Sequence, residues 1–118
     1  MAAPNLANVT SILGTSTGAA LDTTTTTALL SNSAASGKVF KVNALYIANI
    51  DGVNNADVTI DIFRSSTAYK LAHTVVVPAD STLDFLSKSI YLEEGDALRL
   101  TASANSDLEA VCSYEEIS

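Results

Sequence analysis

The sequence predicts an all-β domain: an antiparallel β-sandwich of about eight or nine short strands with a jelly-roll or immunoglobulin-like path. Apolar residues recur at every second position in one segment after another, and the gaps between segments carry Gly, Pro, Asn and Asp. No segment shows the apolar repeat of a long amphipathic helix. A chain of 118 residues can bury one continuous core. We therefore expect residues 1–8 to form an N-terminal arm and residues 9–118 to form a single sandwich domain.

The first third of the chain carries the weakest strand signals. Residues 8–13, 19–22 and 28–31 could each form a short strand. The threonine run at residues 23–27 favours extended chain at an exposed edge or loop, because Thr is β-branched. The small polar residues 32–37 indicate a flexible connection to the next strand.

The segment of residues 38–50 is apolar on both faces. One face carries Phe40, Val42, Ala44, Tyr46, Ala48 and Ile50, and the other carries Val39, Leu45 and Ile47. Residues 71–77 have a similarly ambiguous pattern. A strand that is apolar on both sides is either central or covered by a partner. We therefore expect this chain to associate with other copies or with a larger assembly.

The later strands alternate cleanly and have one wet face. Asp57, Thr59 and Asp61 point away from the core side of residues 57–63, and Arg99 points away from the core side of residues 97–103. Turns are expected at residues 51–55, 78–81, 93–96 and 105–107, where Gly, Pro, Asn and Asp cluster. We predict that the buried core contains Phe40, Val42, Tyr46, Ile60, Ile62, Phe85, Leu98, Leu100, Leu108 and Cys112.

The charge of the chain argues against several classes of partner. Thirteen acidic and six basic residues give a formal net charge of −7. An acidic surface repels phosphate and anionic lipid, so we expect neither nucleic acid nor a membrane as partner. No apolar stretch approaches the roughly 18 residues of a membrane-spanning helix. The N-terminus lacks the basic and apolar regions of a secretory signal, so synthesis in a host cytoplasm is expected.

Histidine and cysteine each occur once, which limits the available chemistry. His73 shares a parity with Leu71, Val75 and Val77, and is expected to be a structural residue against a core or an interface. Cys112 is expected to be a buried thiol on the inward face of the last strand. One histidine and one cysteine nearly exclude a zinc site within one chain. We assign no catalytic and no cofactor-binding residue, and we expect no enzymatic activity.

Two acidic turns are candidate calcium sites, but neither has the spacing of a calcium loop. The first turn contains Asp51, Asn54, Asn55 and Asp57, and the second contains Glu93, Glu94 and Asp96. No acidic residue stands at the twelfth position of the first turn. We therefore predict that both turns are solvated or used in subunit contacts, with no metal ligands. The triplet Asn8-Val9-Thr10 matches a glycosylation acceptor, which has no meaning without a secretory route.

Several segments carry a resemblance to a known family. They are YLEEGDALRLTAS at 91–103, DLEAVCSYEEI at 107–117, GKVFKVN at 37–43, IANIDG at 47–52 and the opening MAAPN. With these segments the chain resembles small virion structural proteins of tailed bacteriophages, notably those infecting marine cyanobacteria. The resemblance covers most of the chain and is weakest over residues 13–36. Its motifs are patterns of strands and turns.

The resemblance implies a component of the phage particle that is present in many copies. Within that class it favours a capsid decoration, or cement, protein that sits as a homotrimer on the outside of the head. The implied partners are further copies of the chain and the major capsid protein or another virion protein, and the implied location is the virion. Two alternatives stay open: a tail or neck component, and a module that binds carbohydrate or a host surface.

Overall fold

The computed structural model describes residues 4–118 and confirms the all-β prediction. Within these residues the only helical element is a single 3-10 turn, Leu6–Asn8. The strands are β1 (Ile12–Leu21), β2 (Thr27–Ser31), β3 (Val39–Asn49), β4 (Ala56–Arg64), β5 (Thr67–Val77), β6 (Thr82–Asp84), β7 (Ile90–Leu92), β8 (Ala97–Ala102) and β9 (Leu108–Ile117).

The strands form two antiparallel sheets with the order of a jelly roll. Sheet I has the order β1-β9-β3-β6, with β7 also paired to β3, and sheet II has the order β2-β8-β4-β5. β6 pairs with residues 46–48 of β3 and β7 pairs with residues 40–42. Together β6 and β7 therefore act as one broken sixth strand of an eight-strand path. The resulting orders, 1-8-3-6 and 2-7-4-5, are those of two Greek keys folded into a jelly roll.

A β-bulge in β3 explains the segment that is apolar on both faces. The register of β3 against β9 shifts between Val42 and Ala44, so the side chains that follow change sides. Phe40 and Val42 point into the core before the bulge, and Leu45 and Ile47 point into it afterwards. The prediction that Tyr46 is buried is therefore wrong, because Tyr46 lies on the outer face and is 44% exposed.

Two irregularities in β5 overturn the parity assigned to His73. β5 gains one residue relative to β4 between Ala72 and Val75, where Thr74 has a φ of 48°, and a second between Lys70 and Ala72. Each extra residue reverses which side chains point inward. His73 is consequently exposed and does not lie against the core.

The core lies between the two sheets and is mainly aliphatic. Most predicted core residues are buried, and Ile62 and Phe85 are partly buried against the same cluster. Tyr114 also points inward, and its ring centroid lies 5.5 Å from that of Phe40. The fully buried aliphatic side chains of largest volume are Leu45, Ile47, Ile60, Leu92, Leu98, Leu100 and Leu108.

The first third of the chain is more regular than its sequence indicates. β1 runs without interruption from Ile12 to Leu21 and pairs with β9 residue by residue. Residues 12–13 and 19–21 of the two short strands expected at 8–13 and 19–22 therefore belong to one strand, joined by Gly14-Thr15-Ser16-Thr17-Gly18, whereas residues 8–11 precede it and are not a strand. Small residues with weak periodicity conceal a strand whose pairing is set by β9.

Candidate interaction surface

Four loops come together at one end of the sandwich, and each carries one aspartate. These loops are residues 22–26, 50–55, 78–81 and 103–107, which we call the acidic loop end. Their aspartates are Asp22, Asp51, Asp80 and Asp107, and the four loops contain no lysine, arginine or histidine. Backbone hydrogen bonds connect them: Asp80 N donates to Asp51 O at 3.1 Å, Ile50 N to Asp107 O at 2.8 Å, and Ser106 N to Leu21 O at 3.0 Å.

The Asp51 carboxylate is used to order its own loop. One oxygen accepts hydrogen bonds from Val53 N at 2.7 Å and Asn54 N at 3.1 Å, and the other accepts one from Asn54 Nδ2 at 3.1 Å. These bonds, led by the one from Val53, lower the pKa of Asp51. Desolvation and the neighbouring Asp51 charge raise the pKa of Asp107. The two carboxyl groups are therefore electrostatically coupled at the centre of the acidic loop end.

The first acidic turn, a candidate calcium site by its sequence, is held by hydrogen bonds within the protein. Asn55 Oδ1 accepts a hydrogen bond from Ala79 N at 3.1 Å, and the backbone N–H of Asp57 donates a hydrogen bond to Ser103 Oγ at 2.7 Å. Within residues 4–118, no group of three His, Cys, Asp or Glu side chains is placed to hold a metal ion. The side chains of Asp51 and Asn55 are thus engaged in hydrogen bonds within the protein, whereas Asp57 takes part through its backbone N–H.

Asn49, which the sequence analysis did not single out, anchors the acidic loop end. Its side chain is almost fully buried and donates to Asn54 O and Val77 O, both at 2.9 Å, while its Oδ1 accepts from Asp51 N at 2.9 Å. The Asn49 side chain at the end of β3 thereby holds the loop at residues 50–55 and the end of β5. The loops form a fixed surface on a rigid scaffold, the usual arrangement for recognition.

Two apolar side chains are exposed among the carboxylates. Ile50 is 55% exposed and Val53 is 84% exposed, the highest value among the large apolar residues of the described chain. A surface that combines an exposed aliphatic tip with surrounding negative charge suits a partner with a shallow apolar pocket and a basic rim.

At the opposite end of the sandwich, the second acidic turn is structural. Asp96 is 3% exposed, accepts from Arg64 Nε at 2.9 Å, and also accepts from Glu93 N at 2.8 Å. Arg64 further contacts Glu93 at 2.8 Å. The expectation that this turn is solvated or used in subunit contacts is therefore wrong for Asp96, whose carboxylate holds the turn after β4 against the turn after β7.

Asn32 anchors this end as Asn49 anchors the other. It is 1% exposed and donates to Lys38 O at 2.9 Å and Leu92 O at 3.1 Å. Its Oδ1 accepts from Ser36 Oγ at 2.6 Å. The connection at residues 32–37, expected to be flexible, is therefore tied to the sandwich, and no sequence pattern distinguishes Asn32 from an ordinary loop asparagine.

The outer face of sheet II carries an ion cluster around a buried aspartate. Asp61 lies on this outer face as expected, but it is 2% exposed and hence not solvated. Arg99 donates to its two oxygens at 2.8 and 3.1 Å, and Lys70 Nζ lies 3.6 Å away. The Arg99 guanidinium also lies 4.0 Å from the ring centroid of Phe63. Asp61 is thus buried between two positively charged partners, and the cluster is best explained as structural.

The outer face of sheet I is partly covered by the N-terminal arm. Pro4 and Leu6 line a shallow depression with Val39, Tyr91 and Glu93. Val39 is 7% exposed although it lies outside the central cluster. The described part of the arm therefore lies beside its own sheet, across a shallow depression. Met1 to Ala3 lie outside the described residues, and contact of the arm with a neighbour stays a prediction.

His73 and Cys112 are not brought together. His73 lies on the exposed edge strand β5 of sheet II, whereas Cys112 lies fully buried on the inward face of β9 in sheet I. Burial raises the pKa of the Cys112 thiol to about 11. The prediction of a buried thiol is confirmed, and the thiolate needed for nucleophilic chemistry is disfavoured there.

No family model matches the chain, and no curated protein and no solved structure matches it either. None of the helices in residues 4–118 has the length and apolar character required to span a membrane.

Proposed function

We propose that this chain is a non-enzymatic virion structural protein, most specifically a capsid decoration protein that stabilises a phage head by bridging its subunits. The observation that carries the proposal is the acidic loop end: four aspartates, one from each loop, lie at the same end of a rigid jelly roll as the exposed Val53. Jelly rolls recur in viral capsid and lectin domains. That likeness is an analogy at the level of the fold, and the surface supplies the physical argument.

The acidic loop end fits a partner rather than a small substrate. Asp51 and Asn49 hold the loops in place, so little conformational entropy is lost when a partner binds. The carboxylates of Asp22 and Asp80 are available to pair with basic side chains at the rim of the contact, where charge sets association rate and orientation. The proposed partner is a basic patch on the major capsid protein or on another virion protein.

Self-association remains part of the proposal, but the two apolar faces of the β3 segment no longer support it. The bulge in β3 turns Leu45 and Ile47 into core residues, so the apolar pattern of that strand no longer requires an external cover. The homotrimer implied by the family resemblance stays a prediction, to be tested by the mass of the purified chain.

The test uses particles produced with the gene for this chain deleted, to which the purified chain is added back. Cosedimentation should show saturable binding that weakens as salt rises from about 0.05 to about 0.5 M, because exposed charge pairs are screened. A cryo-EM map should place the added density on the head. Density at the tail or neck would instead select that alternative, and absence of binding would reject a virion role.

A matched pair of variants tests whether the acidic loop end makes the contact. Asp22→Asn with Asp80→Asn removes two charges without touching the Asp51 hydrogen bonds. Asp84→Asn is the control, because Asp84 is an exposed aspartate on β6 outside the four loops. The double variant should bind particles more weakly while the control binds as the unaltered chain does. Equal loss in both variants would contradict the assignment of this surface.

One observation favours the carbohydrate-binding alternative. Tyr46 and Tyr91 both lie on the outer face of sheet I and are 44% and 41% exposed. Exposed aromatic rings are the usual platforms for sugar rings, and lectins share this fold class. A glycan array probed with the purified chain tests this function. Binding that is lost in Tyr46→Ala would support it over the decoration role.

A further inference from the structure

β1 is a long edge strand without the features that normally prevent edge pairing. It forms the end of sheet I, and within the described chain it pairs with β9 alone. Its sequence Ile12-Leu13-Gly14-Thr15-Ser16-Thr17-Gly18-Ala19-Ala20-Leu21 contains no charged residue and no proline. Its register against β9 is continuous over ten residue pairs. Such an edge presents unpaired backbone groups to any strand of suitable shape.

The other sheet edges are protected. β5 has two register irregularities against β4 and carries Lys70, which is exposed. β2 has five residues and a register shift of its own. The far edge of sheet I is divided between β6 and β7, with three residues each. Short strands, bulges and lysines are the usual defences against edge-to-edge contact. The absence of all three from β1 marks this edge as an interface.

The central five residues of β1 read the same from either end. Gly14-Thr15-Ser16-Thr17-Gly18 is a palindrome centred on Ser16. In an antiparallel pair related by a two-fold axis at Ser16, Thr15 lies opposite Thr17 of the second copy, and Gly14 lies opposite Gly18. Threonine pairs across strands are favourable. Identical patches that meet about a two-fold axis form the commonest type of protein dimer.

The same register places large exposed side chains opposite small ones. Ile12 and Leu13 are each 57% exposed, and in this pairing they lie opposite Ala20 and Ala19 of the second copy. Opposite residues share a face of the extended sheet, so the outward Ile12 meets the outward Ala20. Pairing therefore shields two apolar side chains per copy and brings no like charges together.

From these observations we propose that β1 is a self-association edge, at which two copies of this chain pair antiparallel about Ser16 to extend sheet I across a dimer. This proposal stands independently of the virion role, because it rests only on β1 and the protection of the other edges. It also differs from the homotrimer, since an isologous edge contact joins two copies.

The first test is the mass of the purified full chain by light scattering at micromolar concentration. A mass of twice the 12.2 kDa subunit is expected for the edge dimer, whereas a mass of three subunits would support the homotrimer and contradict the edge dimer. Ser16→Lys places two positive charges directly opposite each other and should shift the chain to the mass of one subunit. Thr82→Lys is the control, because Thr82 is exposed on β6 at the other edge of sheet I. It should leave the dimer intact.

The second test fixes the register and does not depend on the charged variant folding. Ser16→Cys brings two thiols opposite each other across the two-fold axis, within the Cα separation that a disulfide tolerates. Gly14→Cys is the control, since nothing lies within 4 Å of a Cβ added there. Its thiol would be separated from its counterpart by four residues, roughly 13 Å along the strand.

Mild oxidation should therefore give a covalent dimer of the Ser16→Cys chain and little or none of the Gly14→Cys chain. A single-subunit mass for the unaltered chain would overturn the proposal. A multimer that survives Ser16→Lys, or equal cross-linking by both cysteine variants, would also overturn it.

Discussion

The bulge in β3 makes a sharp prediction about two adjacent residues. Leu45 is fully buried between the sheets, whereas Tyr46 is 44% exposed on the outer face. Leu45→Ala removes a buried side chain and leaves a cavity, which should lower the free energy of unfolding by about 3–5 kcal/mol. Tyr46→Ala removes a larger side chain from the outer face of the sheet, and should cost about 1 kcal/mol or less.

The assay is urea unfolding followed by circular dichroism, with the slope of the transition checked for equality among variants. Simple alternation from Phe40 without a bulge predicts the reverse order, with Tyr46→Ala the more damaging change. That reverse order would refute the assignment. The unaltered domain is expected to have a total stability of roughly 5–15 kcal/mol, so Leu45→Ala can approach complete unfolding. Ile47→Val then provides a milder measurement on the same face, with an expected cost of about 0.5–1.5 kcal/mol.

Three further predictions concern a carboxyl pair, a thiol and a turn. Asp107→Asn removes a group whose pKa is raised in the folded state, so it should stabilise the domain at neutral pH. The difference in stability between the variant and the unaltered chain should shrink as pH falls through the raised pKa, because Asp107 then gains a proton and no longer repels Asp51. A difference in urea midpoint that stays constant with pH would contradict the coupling. Cys112, with a pKa of about 11, should resist a thiol reagent at about pH 8 until denaturant is added. Rapid labelling of the native chain would show that it is not buried. Ser65 and Ser66 have φ values of 51° and 61°, so Ser66→Gly should stabilise the turn by roughly 0.5–1 kcal/mol in thermal unfolding, and a loss of stability would contradict that backbone geometry.

The interaction surface was only partly visible in the sequence. Asp51, Asp80 and Asp107 each fall in a turn that the sequence predicts, but four separate loops have no evident relation until the jelly roll brings their ends together. Asn49 stands at an outward position if β3 alternates regularly, and the bulge alone turns it inward. A polar residue that anchors a loop is thus indistinguishable from a surface residue before the register is known.

The cluster of Asp61, Arg99 and Lys70 could not be predicted from the sequence for the same reason. The alternation in β4 correctly directs Asp61 away from the core, yet the side chain is buried. Its cover comes from Arg99 on β8 and Lys70 on β5, which lie 38 and 9 positions away in the chain. Burial on an outer sheet face depends on which strands are neighbours, and period-two alternation carries no information about strand order.

The sequence by itself determined the all-β fold class and the positions of four turns, at residues 51–55, 78–81, 93–96 and 105–107. Period-two alternation and turn-forming residues are local properties, because each follows from the geometry of a few consecutive residues. The tertiary structure decided the jelly-roll order, the inward position of Leu45, the exposure of His73 and the unprotected edge at β1. Each of these depends on pairing with a distant strand. A single inserted residue exchanges the two faces of a strand, and in an apolar segment such as β3 both alternatives have nearly the same local pattern.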